Sequence, residues 1–183
     1  VIMAKVALPN MGEVLTAEQI AAQDSPYVEG MVGFSALGLP FNLDAWDGFP
    51  AARERLYMSA KKAGARLVTV TGDTHTAWAN TLYDAAGDQR GVEFGCTSIT
   101  SPGIGSVIKD VPNLGPLFAD ANKEVVWHDP FGHGYFVMTL TPDAAQAEFK
   151  KVSSILAADW TVESVASWKT VAEDDGMSGL TPA

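Results

Sequence analysis

The chain has 183 residues, 47% of them hydrophobic, enough for one packed domain or a large part of one. Its formal net charge of −10 and pI of about 4.6 exclude non-specific attraction to nucleic acid or to an anionic membrane, while leaving a phosphorylated substrate open, because bound cations reverse the local field. A single cysteine, Cys96, excludes an intrachain disulfide, and no apolar run approaches the length of a membrane span.

Residues 1–8 read as a strand, with Ile2, Ala4, Val6 and Leu8 alternating and Lys5 on the other face. The chain begins at Val1, without a signal-peptide pattern and without an approach to that strand. It is therefore expected to be the later part of a longer polypeptide, with residues 1–8 pairing in a sheet mostly supplied from elsewhere. Residues 10–42 are polar and dotted with glycine; a short helix is expected over 13–22 and loop over the rest. Residues 51–63 are rich in good helix formers, with Pro50 suited to the first turn, Lys61 and Lys62 to the last, and Gly64 to the stop. Ala52, Leu56, Ala60 and Ala63 mark one face of that helix. Just before it stands Trp46-Asp47-Gly48-Phe49. Asp47 either caps the helix or supports a metal ligand from behind. Arg53 faces either a phosphate or a carboxylate.

The stretch 67–80, LVTVTGDTHTAWAN, carries the clearest site signal. A β-branched run, Leu67-Val68-Thr69-Val70-Thr71, stops at Gly72 and reads as a buried strand. Ligands in open α/β sheets bind beyond the carboxyl ends of strands, where Asp73 and His75 fall. Alternation in an extended loop would point both to one side. A hard oxygen and a borderline nitrogen make a plausible pair of metal ligands. Equally, Asp73 caps a turn and His75 is an ordinary loop histidine.

Further on, 81–83 and 92–98 read as two strands of a hairpin around the turn 84–91. The hydroxyl run 97–101 lacks a GxSxG elbow, and Gly103-x-Gly105 lacks the third glycine of a dinucleotide loop. A short helix is expected near 115–122. Strands follow over 134–141 and 147–155 as an antiparallel pair, and a polar tail with Trp160 and Trp168 begins at Ala157. The three histidines show no HExxH or zinc-finger spacing. His128 is expected at the surface. His133, between two glycines, sits either at a site edge or in a turn entering the next strand.

Four ordered blocks then matter together: WDGFPAARERL (46–56), VTGDTHTAWAN (70–80), EFGCTSITSPG (93–103) and HGYFVMTLTPDAAQAEF (133–149). In that order they resemble the C-terminal half of the PhoD-type alkaline phosphatase/phosphodiesterase family, whose pattern is W-D-G-Y-x-x-x-R, G-D-x-H-[ST]-x-W-A, E-F-x-x-x-S-I-T-S-P and H-G-Y. Phe49 replaces the tyrosine. The resemblance runs from Val1 to about Phe149. It implies a calcineurin-like metallophosphoesterase fold in the α/β class, an αββα sandwich of two mixed sheets with helices outside. Residues 1–155 would be the C-terminal half of that domain, and 156–183 a tail packing on it.

It also implies a hydrolase of phosphate esters, an alkaline phosphatase or phosphodiesterase working by metal-activated hydroxide, in the periplasm or secreted. A phospholipase D-like phosphodiesterase and a non-catalytic subunit that keeps the fold are the rivals. Most metallophosphoesterases carry Gly-His-x-His where this chain has Gly72-Asp73-Thr74-His75, so the resemblance makes Asp73 and His75 metal ligands. A carboxylate favours calcium and an imidazole favours iron, in line with the family's iron and calcium, with zinc or manganese as alternatives. His133 and Asp47 become catalytic candidates at the rim of the site or behind a ligand. The family's other ligands, an early aspartate, a cysteine or tyrosine, a shared aspartate and an Asn-containing motif, have no counterpart here. Cys96 is in the wrong block and reads as a core thiol. The active site is thus expected to be incomplete in this chain, and the N-terminal half of the same polypeptide or a complementary chain is the expected partner. No nucleic acid is expected as a dedicated one.

Overall fold

The computed structural model describes residues 1–108, 111–174 and 176–183. Two sheets stack face to face. The first contains β1 (Leu67–Thr71), β2 (Ala77–Tyr83), β3 (Gln89–Gly95) and β4 (Val125–Asp129) in the order β1-β3-β2-β4. Here β1 and β3 run parallel, and β2 is antiparallel to both β3 and β4. The second contains β5 (Gly134–Leu140), β6 (Ala144–Val152), β7 (Val162–Glu173) and the two-residue β8 (Gly176–Met177) and β9 (Thr181–Pro182). All its pairings are antiparallel, in the order β5-β6-β7-β8, with β9 also on β7.

Residue size explains the stacking. In β2, Ala77 and Ala79 join Val92 and Phe94 of β3 against Ala145, Ala147 and Phe149 of the second sheet. Alternate residues Trp78 and Leu82 point the other way, into the helices. Small residues on one side let the sheets approach, and Trp78 fills the larger space on the other. That helical layer comprises α1 (Met11–Val14), α2 (Ala17–Ala22), α3 (Pro26–Ser35), α4 (Pro50–Lys62), α5 (Ile104–Val107) and α6 (Leu114–Ala121). Met11, Met31, Tyr57, Ile104 and Phe118 bring most of these helices into one core with Trp78 and Leu82. The outer face of the second sheet stays open: Tyr135 and Val137 of β5 are exposed. Among the described residues the helices therefore cover the first sheet, where the family resemblance implies helices outside both. No described helix is long and apolar enough to cross a membrane.

Residues 1–8 depart from expectation. Among the described residues they form no ladder, and a single bridge joins Ala7 to Pro40. Yet Ile2, Met3, Ala4, Val6 and Leu8 are all buried. Buried backbone amides need acceptors, and side chains supply them. Met3 and Ala4 N–H donate to the Glu93 carboxylate at 2.6 and 3.0 Å. Lys5 N–H donates to Glu124 at 2.7 Å, Val6 N–H to Asp47 at 2.9 Å and Ala7 N–H to Asn122 at 2.7 Å. Alternation in the sequence is the same for a strand and for an extended segment clamped in this way.

The helix after Pro50 and β1 stand where the sequence puts them, but β1 is not the buried strand expected: as the edge of its sheet it is half-buried, with Val70 exposed. Gly64 stops the helix with a φ of +61°. The buried positions of α4 are Arg53 and Tyr57, whereas Leu56 is exposed. Arg53 tolerates burial because Asp47 neutralises it. The short α5, β8 and β9 were not anticipated, nor were three larger elements. Helix α3 replaces an expected loop, with Pro26 at its first turn as the overlooked signal. Val125-Val126-Trp127 begins β4. The expected polar tail contains β7, twelve residues long, whose Ala166, Trp168 and Ala172 pack between the sheets. The hairpin strand β3 starts three residues earlier than 92, and β6 three residues earlier than 147.

Candidate functional site

The parallel pair β1 and β3 ends at Thr71 and Gly95. Beyond those ends lie residues 72–76 and 96–103, and beside them β4 leads through 130–133 into β5. Three loops therefore meet at one end of the sandwich, the expected place for a site.

Asp73 and His75 lie in the first loop. Their φ angles are 78° and 60°, so neither is extended and the alternation argument for their shared direction does not apply. Asp and His tolerate this left-handed region better than most residues, and such backbone clusters at functional sites. Tertiary hydrogen bonds fix the shape. The Trp78 indole donates to Thr74 Oγ1 at 2.9 Å. The Thr97 hydroxyl lies 3.0 Å from His75 O and 2.7 Å from Gly132 O, joining the first loop to the third. Gly103 closes the second loop on the first: a Cβ there would stand 2.6 Å from Thr76 Cγ2 and 2.7 Å from His75 O.

The Asp73 side chain is exposed and makes no hydrogen bond among the described residues. It lines a cleft of about 230 Å³ together with Thr74, Thr76 and Asn42. The half-buried His75 places Nδ1 3.0 Å from the carbonyl oxygen of Pro102, which lines the same cleft. A carbonyl only accepts, so Nδ1 carries the proton and donates. In the neutral ring Nε2 is then the lone-pair nitrogen, held in a set orientation. This is the arrangement by which metal-ligating histidines are oriented. Asp73 and His75 thus suit an oxygen-plus-imidazole contribution to a cation site. Zinc takes four ligands and calcium six to eight. Among the described residues no group of three or more His, Cys, Asp or Glu side chains is gathered to hold an ion.

His133 is half-buried at the start of β5, with Nδ1 3.3 Å from Ser98 O and 3.4 Å from Ser98 Oγ. It belongs to the same loop end, reached through Thr97. Asp47 does not. Its carboxylate accepts from Arg53 Nη1 at 2.7 Å and from Val6 N–H at 2.9 Å, inside the helical layer. It does not cap α4 either: the N-cap is Phe49, without a side-chain bond. Arg53 also donates to Met3 O at 3.1 Å, so it serves a carboxylate and a carbonyl.

His128, expected at the surface, is 4% exposed in β4. It stacks on Trp78 with centroids 3.5 Å apart and donates from Nδ1 to Ala77 O at 2.9 Å. Burial pushes its pKa down to about 4. It props the Trp78 that holds Thr74. Cys96 is half-buried rather than fully in the core, and burial raises its thiol pKa. Sequence reasoning did not single out Glu93, which is fully buried. It accepts from Met3, Ala4, Asn80 Nδ2 at 2.9 Å and Thr71 Oγ1 at 2.9 Å. Burial pushes its pKa up against those four donors. A glutamate inside the β-rich run VEFG was the available signal.

The profile of the PhoD-like phosphatase family matches residues 1–149. Alkaline phosphatase D of Bacillus subtilis (strain 168) is 26% identical over 181 residues, covering 92% of this chain and 29% of that protein. A solved structure of PhoD is similar with a TM-score of 0.58 at 22% identity, covering 76% of this chain and 27% of that one, which shows the shared fold. The chain therefore spans less than a third of the length of these relatives. With the family profile matched over most of its length, this chain belongs to the PhoD-like phosphatase family.

Proposed function

We propose that the protein carrying this chain hydrolyses phosphate esters, as an alkaline phosphatase or phosphodiesterase, with Asp73 and His75 contributing ligands to its metal site. The observation that carries this reading is the His75 Nδ1 contact to Pro102 O at 3.0 Å, which leaves Nε2 as the lone-pair nitrogen, on the same loop as an exposed Asp73 carboxylate that makes no hydrogen bond among the described residues. Iron and calcium match the donor types. When bound, such ions polarise a phosphoryl group and make water a better nucleophile near neutral pH. The chain's own residues hold and orient. The Pro102 carbonyl fixes the His75 tautomer. Thr97 holds the backbone of His75 against the loop of His133. His133, at the rim of the same loop end, is placed to meet a substrate oxygen. Asp47 acts at a distance, by securing the N-terminal segment.

Two ligands do not complete a cation site, and the relatives are over three times as long. The partner is therefore the remaining part of the same polypeptide, or a complementary chain, supplying the other ligands. The open edge of β1, where Val70 is 57% exposed, is a suitable place for it to add a strand. The family resemblance further assigns the protein to the periplasm or the extracellular space.

The test uses the full-length protein that contains this chain. Asp73→Ala and His75→Ala should each lower bound metal and reduce turnover of p-nitrophenyl phosphate and of bis(p-nitrophenyl) phosphate by at least about 100-fold. Elemental analysis and initial rates measure both. Wild-type metal content and rates in both variants would sink the assignment. Chelation should abolish turnover reversibly. Comparing the two substrates separates monoester from diester preference.

A further inference from the structure

The cleft lined by Asp73 is not polar throughout. Besides Asp73, Thr74 and Thr76 it is lined by Tyr27, Met31 and Phe41. The same three residues line a second hollow of about 380 Å³ that continues along α3, with Leu8, Pro26 and Phe34. The two hollows thus adjoin through these residues, the first bearing a carboxylate that makes no hydrogen bond among the described residues and the second apolar. Tyr27 is 65% exposed at their mouth. The floor is anchored: Phe41 packs edge-on against buried Phe118 with centroids 6.1 Å apart, and Phe118 packs on Trp78 at 5.5 Å. Trp78 in turn holds Thr74. The apolar wall and the Asp73 loop are therefore one connected unit. A hollow of about 150 Å³ already accommodates a benzene ring, so either part of the groove has room for an aryl or short alkyl group.

We propose that the groove of Tyr27, Met31 and Phe41 is the subsite for the organic group of the substrate, and that the preferred substrates are phosphate esters with an aryl or alkyl substituent. This rests on the reading that phosphate is bound beside Asp73 and His75. The groove is polar at one end and apolar at the other, which matches an amphipathic ligand of that kind. A small, fully hydrated ester would leave Tyr27 in water and gain nothing from α3.

Equilibrium binding tests the groove separately from catalysis. Methylphosphonate, phenylphosphonate and hexylphosphonate are titrated into the full-length protein by calorimetry, with wild type, Tyr27→Ala and Tyr27→Phe. Burying one ring or six-carbon chain predicts about 10-fold or more tighter binding of the phenyl or hexyl compound than of methylphosphonate. Tyr27→Ala should cut that preference about fivefold, and Tyr27→Phe should keep it. The phenyl and hexyl arms distinguish an aryl from an alkyl occupant. Equal affinities, no binding of any phosphonate, or a preference unmoved in Tyr27→Ala would overturn the proposal. Equal affinities would also be the mark of a groove filled by the protein's own upstream residues. A retained preference without hydrolysis of p-nitrophenyl phosphate upholds the groove and overturns the phosphoesterase reading alone.

Discussion

Single residues near the loop end act mostly by orienting one another. Gly103 is an instance, because its missing Cβ is what lets residues 102 and 103 approach Thr76 and His75. Gly103→Ala is expected to destabilise the protein by about 1–3 kcal/mol through overpacking, and to lower metal affinity by displacing the carbonyl that orients His75. Thermal unfolding and metal titration check both; an unchanged melting temperature and affinity would show that the loop yields freely. His128 sets a pH dependence. Its pKa of about 4 in the fold lies below the unfolded value of 6.5, because burial disfavours the imidazolium. Between those values the unfolded chain binds the proton and the fold does not. Stability from this group is thus present above pH 6.5 and lost as pH falls to 4, on the order of 3 kcal/mol in all. Glu93 and Glu124, with pKa values raised by burial, pull in the opposite direction. The wild-type unfolding curve must therefore be compared with that of His128→Gln, which should lose less stability over that range.

At the scale of elements, the loops are tied by side chains rather than by ladders. Thr97 connects two of them through His75 O and Gly132 O. Thr97→Val keeps the shape and removes the donor, and should cost about 1–3 kcal/mol in urea unfolding. The N-terminal segment is tied in the same way. Glu93→Ala would leave Met3 and Ala4 N–H, Asn80 Nδ2 and Thr71 Oγ1 without their acceptor. A loss above about 3 kcal/mol is expected, with amide hydrogen exchange accelerating first at Met3 and Ala4; exchange confined to β3 would contradict this clamp. These ties explain what the sequence concealed. A strand and a side-chain-clamped extended segment share one alternation pattern. The Pro50 helix and β1 were legible because their signals are local: composition, a first-turn proline and a glycine stop. Strand β7 was hidden because its inward side carries small or mixed residues, Ala166, Trp168 and Ala172, rather than a hydrophobic run.

For the whole molecule, the open features lie at the rim of the sandwich. Among the described residues strand β1 pairs only with β3, so its other edge offers backbone groups for pairing. Amides of 67–71 that face this edge should exchange quickly in this chain alone and slowly in the full-length protein. Equal rates in both would remove β1 as the docking edge. The exposed apolar face of β5, with Tyr135 and Val137, invites the same comparison.

The order of the four motif blocks determined the family reading, and the residue types at 73 and 75 determined that a carboxylate and an imidazole were available beyond a strand end. Both depend on sequence alone, because chemistry and order are written in it. Only the tertiary structure decided what each group meets. It bent 73–75 into left-handed backbone, turned His75 to Pro102, drew Asp47 away to Arg53 and buried His128 under Trp78. Those outcomes rest on contacts between residues far apart in the chain, whose geometry is set when the sheets and the helical layer pack together.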